Sequence, residues 1–327
     1  MRCVKCQGTA SVDLPSRNAA YCAPHYLDHF EYEVGHNIRS LKMFTPDERV
    51  LVAVSGGKDS LALWETLIRL GYKTTGFHIH LGIGEYSDLS REKTEAYARA
   101  HGVELIVVEV EAAVGATIPE VSKALRRVPC SGCGLTKRYL MNRTAREHGF
   151  TVLATGHNLD DEAATLMGGI LHWQMDSLGR QAPALESTHA KLGRKVKPLY
   201  TLSEKETASY AVLRHIDYVV DECPNATGAL SLLYKDVLNR IEAESHGTKL
   251  RFFQGYLKNL RPALASTGQK VELRECATCG EATTAEVCAY CRMVQQVYRW
   301  KQRRITPAPT SAPTPSPATT TAPSQTT

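Results

Sequence analysis

The segment that most constrains this chain is Leu51-Val52-Ala53-Val54, followed at once by Ser55-Gly56-Gly57-Lys58-Asp59-Ser60 and then by Leu61-Ala62-Leu63-Trp64. The four apolar residues read as a buried strand, and the pattern running on to Leu70 reads as a helix closed by Gly71. A glycine-containing loop between strand and helix points to phosphate binding, because glycine lets backbone N–H groups approach an anion at a helix N-terminus. Two common templates fail. Walker A needs glycine at position 52, where Val52 stands, and the G-x-G-x-x-G fingerprint is absent.

The same alternation continues downstream. A helical connector is expected over 31–45, ending before Pro46. Further strands are expected at Thr74–Ile79, Glu104–Val110, Thr151–Thr155 and Tyr218–Val220. Helices are expected at Ser87–His101, Leu135–His148, Asn158–His172 and Leu202–His215, closed by Gly102 and Gly149 in the first two and opened by Ser203 in the last. Residues 225–265 also read as helical. Apolar strands alternating with helices predict an α/β fold with a doubly wound parallel sheet covered on both faces. Ligands bind such sheets at the carboxyl ends of the strands, so the loops after Val54, Ile79 and Thr155 should converge.

The ten cysteines fall into three groups, and in a cytosolic chain disulfides are disfavoured. Cys3-x2-Cys6-x15-Cys22-x2-His25 and Cys276-x2-Cys279-x8-Cys288-x2-Cys291 each supply four ligands suited to tetrahedral zinc. Cys130-Ser131-Gly132-Cys133 alone is redox-active, zinc-binding or accidental. With Cys223-Pro224 after an expected strand, three cysteines without a fourth suit a 4Fe-4S cluster with one open iron, or a persulfide relay. Inert core cysteines are the plainer alternative. Lys137, one helical turn past Cys133, either faces the same cavity or is solvated. Asp160-Asp161-Glu162, behind Thr155-Gly156-His157-Asn158-Leu159, suits a Mg²⁺ ion bridging phosphates, or else a helix start capped by Asp160. His157 reads as structural.

The net charge of +5 is modest, but cations cluster at Lys123, Arg126 and Arg127, at Lys137 and Arg138, and at Arg299, Lys301, Arg303 and Arg304. Such clusters either track phosphates or form a solvated helix face. No run of 18 apolar residues and no apolar core at Met1–Cys6 argue against a membrane span or signal peptide, so a cytoplasmic location is expected. From Ile305 no charged residue remains, and 305–327 is expected to be a disordered Pro/Thr-rich tail. The expected organisation is a zinc finger (1–30), a catalytic domain with its linker helix (31–225), a helical region (226–270), and a zinc ribbon with a basic helix (271–304).

Together the Ser-Gly-Gly-Lys-Asp-Ser loop, the C-x-x-C with a third cysteine, Gly156-His157-Asn158-Leu159-Asp160-Asp161 and the flanking modules resemble the PP-loop ATP pyrophosphatases that 2-thiolate tRNA, over about residues 1–304. Glu162-Ala163-Ala164-Thr165 and Leu171-His172-Trp173 look closer to the branch acting on 5-methyluridine 54 of the T-loop than to the wobble-uridine 34 branch. The resemblance implies that Ser55, Gly56, Gly57, Asp59 and Ser60 cradle pyrophosphate with Lys58 adding charge. Ala53, Val54, Ile79 and Gly156 would lie against the ATP nucleoside. Asp59, Lys137 and Asp161 would be catalytic. Cys130, Cys133 and Cys223 would hold the 4Fe-4S cluster, and the two modules would hold Zn²⁺. Implied partners are tRNA, a ubiquitin-like thiocarboxylated sulfur carrier and a second copy of the chain.

Overall fold

The computed structural model describes residues 1–226, 228–267 and 272–305. The tail expected at 305–327 therefore lies, apart from Ile305, outside the described residues. An antiparallel hairpin, β1 (Val12–Leu14) and β2 (Ala19–Tyr21), leads into α1 (Ala23–Ser40). This helix starts earlier than the expected connector, which places His25 in its first turn. Then come β3 (Val50–Ala53), α2 (Lys58–Arg69), β4 (Thr74–His80), α3 (Gly84–His101), β5 (Leu105–Glu109), α4 (Val110–Val114), α5 (Ile118–Leu125), α6 (Pro129–Glu147), β6 (Val152–Thr155) and α7 (Leu159–Leu171). After α8 (Met175–Arg180) follow β7 (Ala184–Leu185), β8 (Arg194–Val196), α9 (Glu204–Leu213), α10 (Leu230–Glu244) and α11 (Thr248–Gly255). A π-helical stretch, Tyr256–Leu260, joins α11 to α12 (Arg261–Thr267). The short pair β9 (Arg274–Glu275) and β10 (Ala282–Thr283) and the helix α13 (Ala289–Ile305) complete the chain.

The central sheet has the order β5-β4-β3-β6-β8-β7 and is parallel except for β7. This is the doubly wound arrangement expected from the sequence. Ala53 stands level with Phe77 on one side and Thr155 on the other, so the loops after β3, β4 and β6 leave the same edge. Chain order reverses between β3 and β6, and the crevice opens there. One core cluster packs β3, β6 and α2 against α1 and α9; a second joins β4, α5 and α6 to the C-terminal cysteine module.

The expected strand at Tyr218–Val220 does not form. Its residues have strand propensity but no ladder partner: Val219 N–H bonds the Gly56 carbonyl at 2.9 Å instead, and Val220 is 80% exposed. The last two strands are β8 and β7, which the sequence analysis did not anticipate. Among the described residues no helix is long and apolar enough to cross a membrane.

Gly76 in β4 faces the fully buried Trp64 so closely that a Cβ would lie 2.5 Å from the indole ring. The ring is also tied by its Nε1–H to Thr74 Oγ1 at 3.1 Å, so it cannot easily move. Gly76→Ala is expected to lower stability by about 1–3 kcal/mol through overpacking. Urea unfolding should show a lower midpoint with an unchanged m-value; an unchanged midpoint would mean the indole yields.

Candidate active site

The loop after β3 is shaped by two glycines with different tasks. Gly56 has φ +81°, and a Cβ there would meet the Ser90 carbonyl at 2.6 Å. Gly57 caps α2, whose first-turn N–H groups face the loop. Ser60 Oγ accepts from Ser55 N–H at 3.0 Å and donates to the Gly57 carbonyl at 3.0 Å, which curls the loop around its own backbone.

The loop after β6 closes against it. A Cβ on Gly156 would lie 2.8 Å from Ser60 N. Asn158 opens α7 in a capping box with Asp161, each side chain accepting from the other's backbone N–H at 3.1 Å. Asp160 is therefore not the cap. Asn158 Nδ2 also donates to Asp59 Oδ1 at 3.0 Å, and Thr207 Oγ1 donates to the same oxygen at 2.6 Å.

These loops enclose a cavity of about 380 Å³ lined by Ala53, Val54, Ser55, Asp59, Ser60, Ile79, Lys137, Gly156 and Asp161, with Tyr86 and Met141 on its far wall. Nine of the expected nucleotide-site residues thus meet in one place. Gly56 and Gly57 contribute backbone shape, and Lys58, 3.2 Å from Asp59 Oδ2, also borders a larger cavity of about 560 Å³. That larger cavity lies between the N-terminal module and α9–α11, and its cations Arg17, Lys58 and Lys249 are already paired with carboxylates. The smaller one sits at the strand-order reversal and is the nucleotide-sized candidate.

The acidic run is split. Asp161 lines the cavity, whereas Asp160 is buried against Lys249 at 2.6 Å and Glu162 against Lys197 at 2.6 Å. Of the three carboxylates expected to suit Mg²⁺, Asp161 alone faces the site. His157, expected to be structural, pairs its Nδ1 with Thr155 Oγ1 at 2.7 Å and also lines the cavity.

Cys130 and Cys133 occupy the first turns of α6, which begins at Pro129 rather than at the expected Leu135. Cys223 lies just before a single 3₁₀ turn, and Cys130 Sγ reaches the Asn225 carbonyl at 3.4 Å. Burial pushes the Cys133 thiol up; Lys137 pulls it back, and Cys223 and Cys130 push it further. Tyr86 is raised first by burial and then by Cys223, so this cavity-lining phenol also borders the cysteines. Cys133 and Cys223 pack against the same core cluster as the cavity-lining Ile79, Tyr86 and Met141.

The other seven cysteines and His25 form the two groups among the described residues whose donor atoms all lie within 4.8 Å of one another. A tetrahedron with Zn–S bonds of 2.3 Å has S–S edges of about 3.8 Å and S–N edges of about 3.5 Å. The observed edges are 3.8 Å for Cys6–Cys22, 3.9 Å for Cys276–Cys291 and 3.8 Å for Cys279–Cys288, and 3.5 and 3.2 Å from Cys3 and Cys22 to His25 Nδ1. Burial opposes ionisation of Cys3 and Cys276, but backbone N–H donors from Cys22 and Cys288 and their neighbours bring each thiol down to about 6. Both donor sets fit a tetrahedral ion.

A family model described as a PP-loop domain matches residues 27–230. The tRNA-5-methyluridine(54) 2-sulfurtransferase of Thermus thermophilus is 53% identical over 308 residues, spanning 94% of this chain and 95% of that protein. The chain belongs to the tRNA-5-methyluridine(54) 2-sulfurtransferase family. A protein of the same name in Thermotoga maritima is 42% identical, covering 94% of this chain and all of that one. Among solved structures, the U34-tRNA thiolase NcsA from Methanococcus maripaludis with its 4Fe-4S cluster superposes with a TM-score of 0.76 at 24% identity, over 90% of this chain and 96% of that one. At that identity the likeness concerns the fold.

Within this sulfurtransferase fold, sequence reasoning missed His78, Glu204, Thr207 and Lys235. His78 is buried beside the cavity, with Nδ1 2.9 Å from the Val54 carbonyl and 3.4 Å from Thr94 Oγ1. Flanked by Phe77 and Ile79 in a strand, it gives no sequence signal beyond a core position. Burial brings its pKa down from 6.5 to about 4 despite the Val54 hydrogen bond. The imidazole stays neutral and holds the strand end next to the loop. Because the unfolded chain protonates first as pH falls, this residue's contribution is complete above pH 6.5 and lost toward pH 4, a range worth on the order of 3 kcal/mol. Urea unfolding at pH 7 and pH 5 should therefore show a steeper loss in the wild type than in His78→Asn. Equal losses would mean His78 titrates as a free imidazole.

Proposed function

We propose that the chain is an ATP-dependent tRNA sulfurtransferase. It adenylates O2 of 5-methyluridine 54 in the T-loop and replaces that oxygen with sulfur, giving 5-methyl-2-thiouridine. The observation that supports this reading is packing: Ile79, Tyr86 and Met141 line the cavity and pack against the same core cluster as Cys133 and Cys223. Nucleotide activation and sulfur delivery then act on one base without moving it far.

Ala53, Val54, Ile79 and Gly156 bind the nucleoside of ATP. The backbone of Ser55, Gly56 and Gly57, with Asp59 and Ser60, cradles the departing pyrophosphate at the α2 N-terminus. Uracil O2 attacks the α-phosphorus and pyrophosphate leaves. Sulfur then attacks C2, and the O2 atom departs as part of AMP. Lys137 stabilises negative charge as the α-phosphate is attacked, and Asp161, the cavity's carboxylate on α7, would hold Mg²⁺. Cys130, Cys133 and Cys223 would hold a 4Fe-4S cluster, whose chemistry there would be to carry sulfur. The sulfur comes from the C-terminal thiocarboxylate of a ubiquitin-like carrier protein.

Cys3, Cys6, Cys22 and His25, and Cys276, Cys279, Cys288 and Cys291, hold structural Zn²⁺ on either side of the catalytic region. Gln296 of α13 bonds the Ala124 carbonyl of α5 and Lys301 pairs with Glu120, so the two helices lie side by side and carry Lys123, Arg126 and Arg127 on one and the exposed Arg299, Arg303 and Arg304 on the other. This basic face supports tRNA as the macromolecular substrate. We further read the enzyme as a cytoplasmic homodimer.

Wobble uridine 34, reached by the same adenylation and sulfur chemistry, is the second reading. Identities of 53% and 42% to the position-54 enzymes weigh against it. Mass spectrometry of tRNA nucleosides from a deletion strain should show loss of 5-methyl-2-thiouridine with wobble thiouridine retained. Loss of the wobble product alone would overturn the choice of position 54. Replacing Cys130, Cys133 and Cys223 together should abolish thiolation; full thiolation by that variant would remove the three cysteines from sulfur transfer. Metal analysis should find two zinc ions per chain, and one in Cys22→Ala; a value unchanged by Cys22→Ala would remove the N-terminal site.

A further inference from the structure

At the phosphate end of the site, one carboxylate lies between two lysines from distant parts of the chain. Glu204, the first residue of α9, places Oε1 2.6 Å from Lys58 Nζ and Oε2 3.2 Å from Lys235 Nζ. Lys235 on α10 is also 2.6 Å from Asp161 Oδ1, and Lys58 is 3.2 Å from Asp59 Oδ2. The five groups form a row in which acid and base alternate: Asp59, Lys58, Glu204, Lys235, Asp161.

This row differs from the other ion pairs around α7. Asp160–Lys249 and Glu162–Lys197 match one acid with one base in the interior. Here three carboxylates share two cations, and the lysine side chains remain 24% and 21% exposed, within reach of a ligand. Burial works against the charge on Lys235, yet Asp161 and Glu204 hold it well above the ordinary lysine range. Glu204 is drawn below the usual carboxylate range against its own burial, by Lys58 and Lys235. Lys58 and Lys235 thus each pair with an acid that lines the cavity, Asp59 and Asp161, next to the loop that receives phosphate. A carboxylate and a phosphate offer an ammonium group the same kind of charge-assisted acceptor.

We propose that Lys235 is a second phosphate-binding cation for the β- and γ-phosphates of a nucleoside triphosphate, and that Glu204 is their internal stand-in, keeping Lys58 and Lys235 paired until polyphosphate displaces it. The inference rests on the ATP-pyrophosphatase reading above. Magnesium-bound ATP brings a replacement for each broken pair: Asp161 exchanges Lys235 for the metal ion, while Lys58 and Lys235 exchange Glu204 for phosphate oxygens. No covalent bond changes in this step.

The test is calorimetric titration of the full-length protein with magnesium-ATP and with AMP, in the absence of tRNA. Loss of one charge-assisted contact predicts that Lys235→Met weakens ATP binding about tenfold or more. AMP lacks the β- and γ-phosphates and should bind that variant within about twofold of wild type. Lys235→Arg, which keeps the charge, should retain most of the ATP affinity. Glu204→Gln removes the competing anion and should tighten ATP binding about threefold or more. If Lys235→Met leaves ATP affinity intact, or lowers ATP and AMP affinity equally, Lys235 is not a phosphate ligand. If Glu204→Gln binds ATP no more tightly, Glu204 is not a stand-in. Wild-type protein that binds neither nucleotide fails differently, because it overturns the ATP-pyrophosphatase reading itself.

Discussion

Gly156 presses its backbone against the first turn of α2, and the rest of the site depends on that close approach. Any side chain there would push a Cβ to 2.8 Å from Ser60 N and 2.9 Å from the Asp59 carbonyl carbon, both backbone atoms that cannot swing away. The contact lies at the reversal of strand order, where β3 and β6 are neighbours but their loops run to opposite halves of the sheet. Asp59 then locks the halves together. Its Oδ1 accepts from Asn158 at the start of α7 and from Thr207 in α9, while its Oδ2 faces Lys58. An acid assigned to catalysis thus also organises three helix N-termini, so its replacement would disturb geometry as well as chemistry.

The two cysteine modules brace the elements that carry the site. From the N-terminal side, Arg17 reaches Glu206 of α9 at 2.6 Å and Glu33 of α1 at 3.2 Å, and Tyr26 donates to the Glu206 carbonyl. From the C-terminal side, Tyr290 stacks on Tyr139 of α6 with ring centroids 3.5 Å apart, and Arg146 of α6 pairs with the buried Glu281 at 2.6 Å. Each module therefore grips a helix whose beginning faces the site: Glu204 and Thr207 on α9, Cys130 and Cys133 on α6. Removing Arg146 would leave the buried Glu281 carboxylate without its cation, a loss of about 1–3 kcal/mol. A metal-bound module amounts to a rigid clamp on catalytic geometry at a distance from it.

Much of this was legible in the sequence, for definite reasons. Strands β3 to β6 are apolar runs followed by helices, several of them closed by Gly71, Gly102 and Gly149, which adopt positive φ. The metal groups were legible because four ligands at fixed spacing carry the signal by themselves. The sheet's second half was not. β8 is Arg194-Lys195-Val196 and β7 is two residues long, so neither has enough alternation to register; β8 exists because β6 offers a ladder, and β7 because β8 does. Tyr218-Val219-Val220 shows the reverse: good strand residues whose Val219 N–H goes to the Gly56 loop rather than to a strand. Lys235 was invisible because a lysine on an amphipathic helix looks like any solvated one until tertiary structure sets a carboxylate beside it.

The acidic run at the start of α7 shows most clearly why composition overstates a site. Successive residues on a helix are turned by about 100°, so Asp160, Asp161 and Glu162 cannot share one direction. Asp161 keeps the cavity side and also caps its own helix. Asp160 is turned inward, where Lys249 and the Glu204 backbone N–H satisfy its two oxygens at 2.6 and 2.9 Å. Glu162 is turned toward Lys197 and Gln181. Each inward acid needed a buried partner, and α11 and the segment after β8 supply them. Those pairs in turn fix where α9 begins, since Asp160 holds the backbone of Glu204. The residue that lines the cavity is thus positioned by the two that do not, and three adjacent carboxylates yield one cavity-lining acid and two struts.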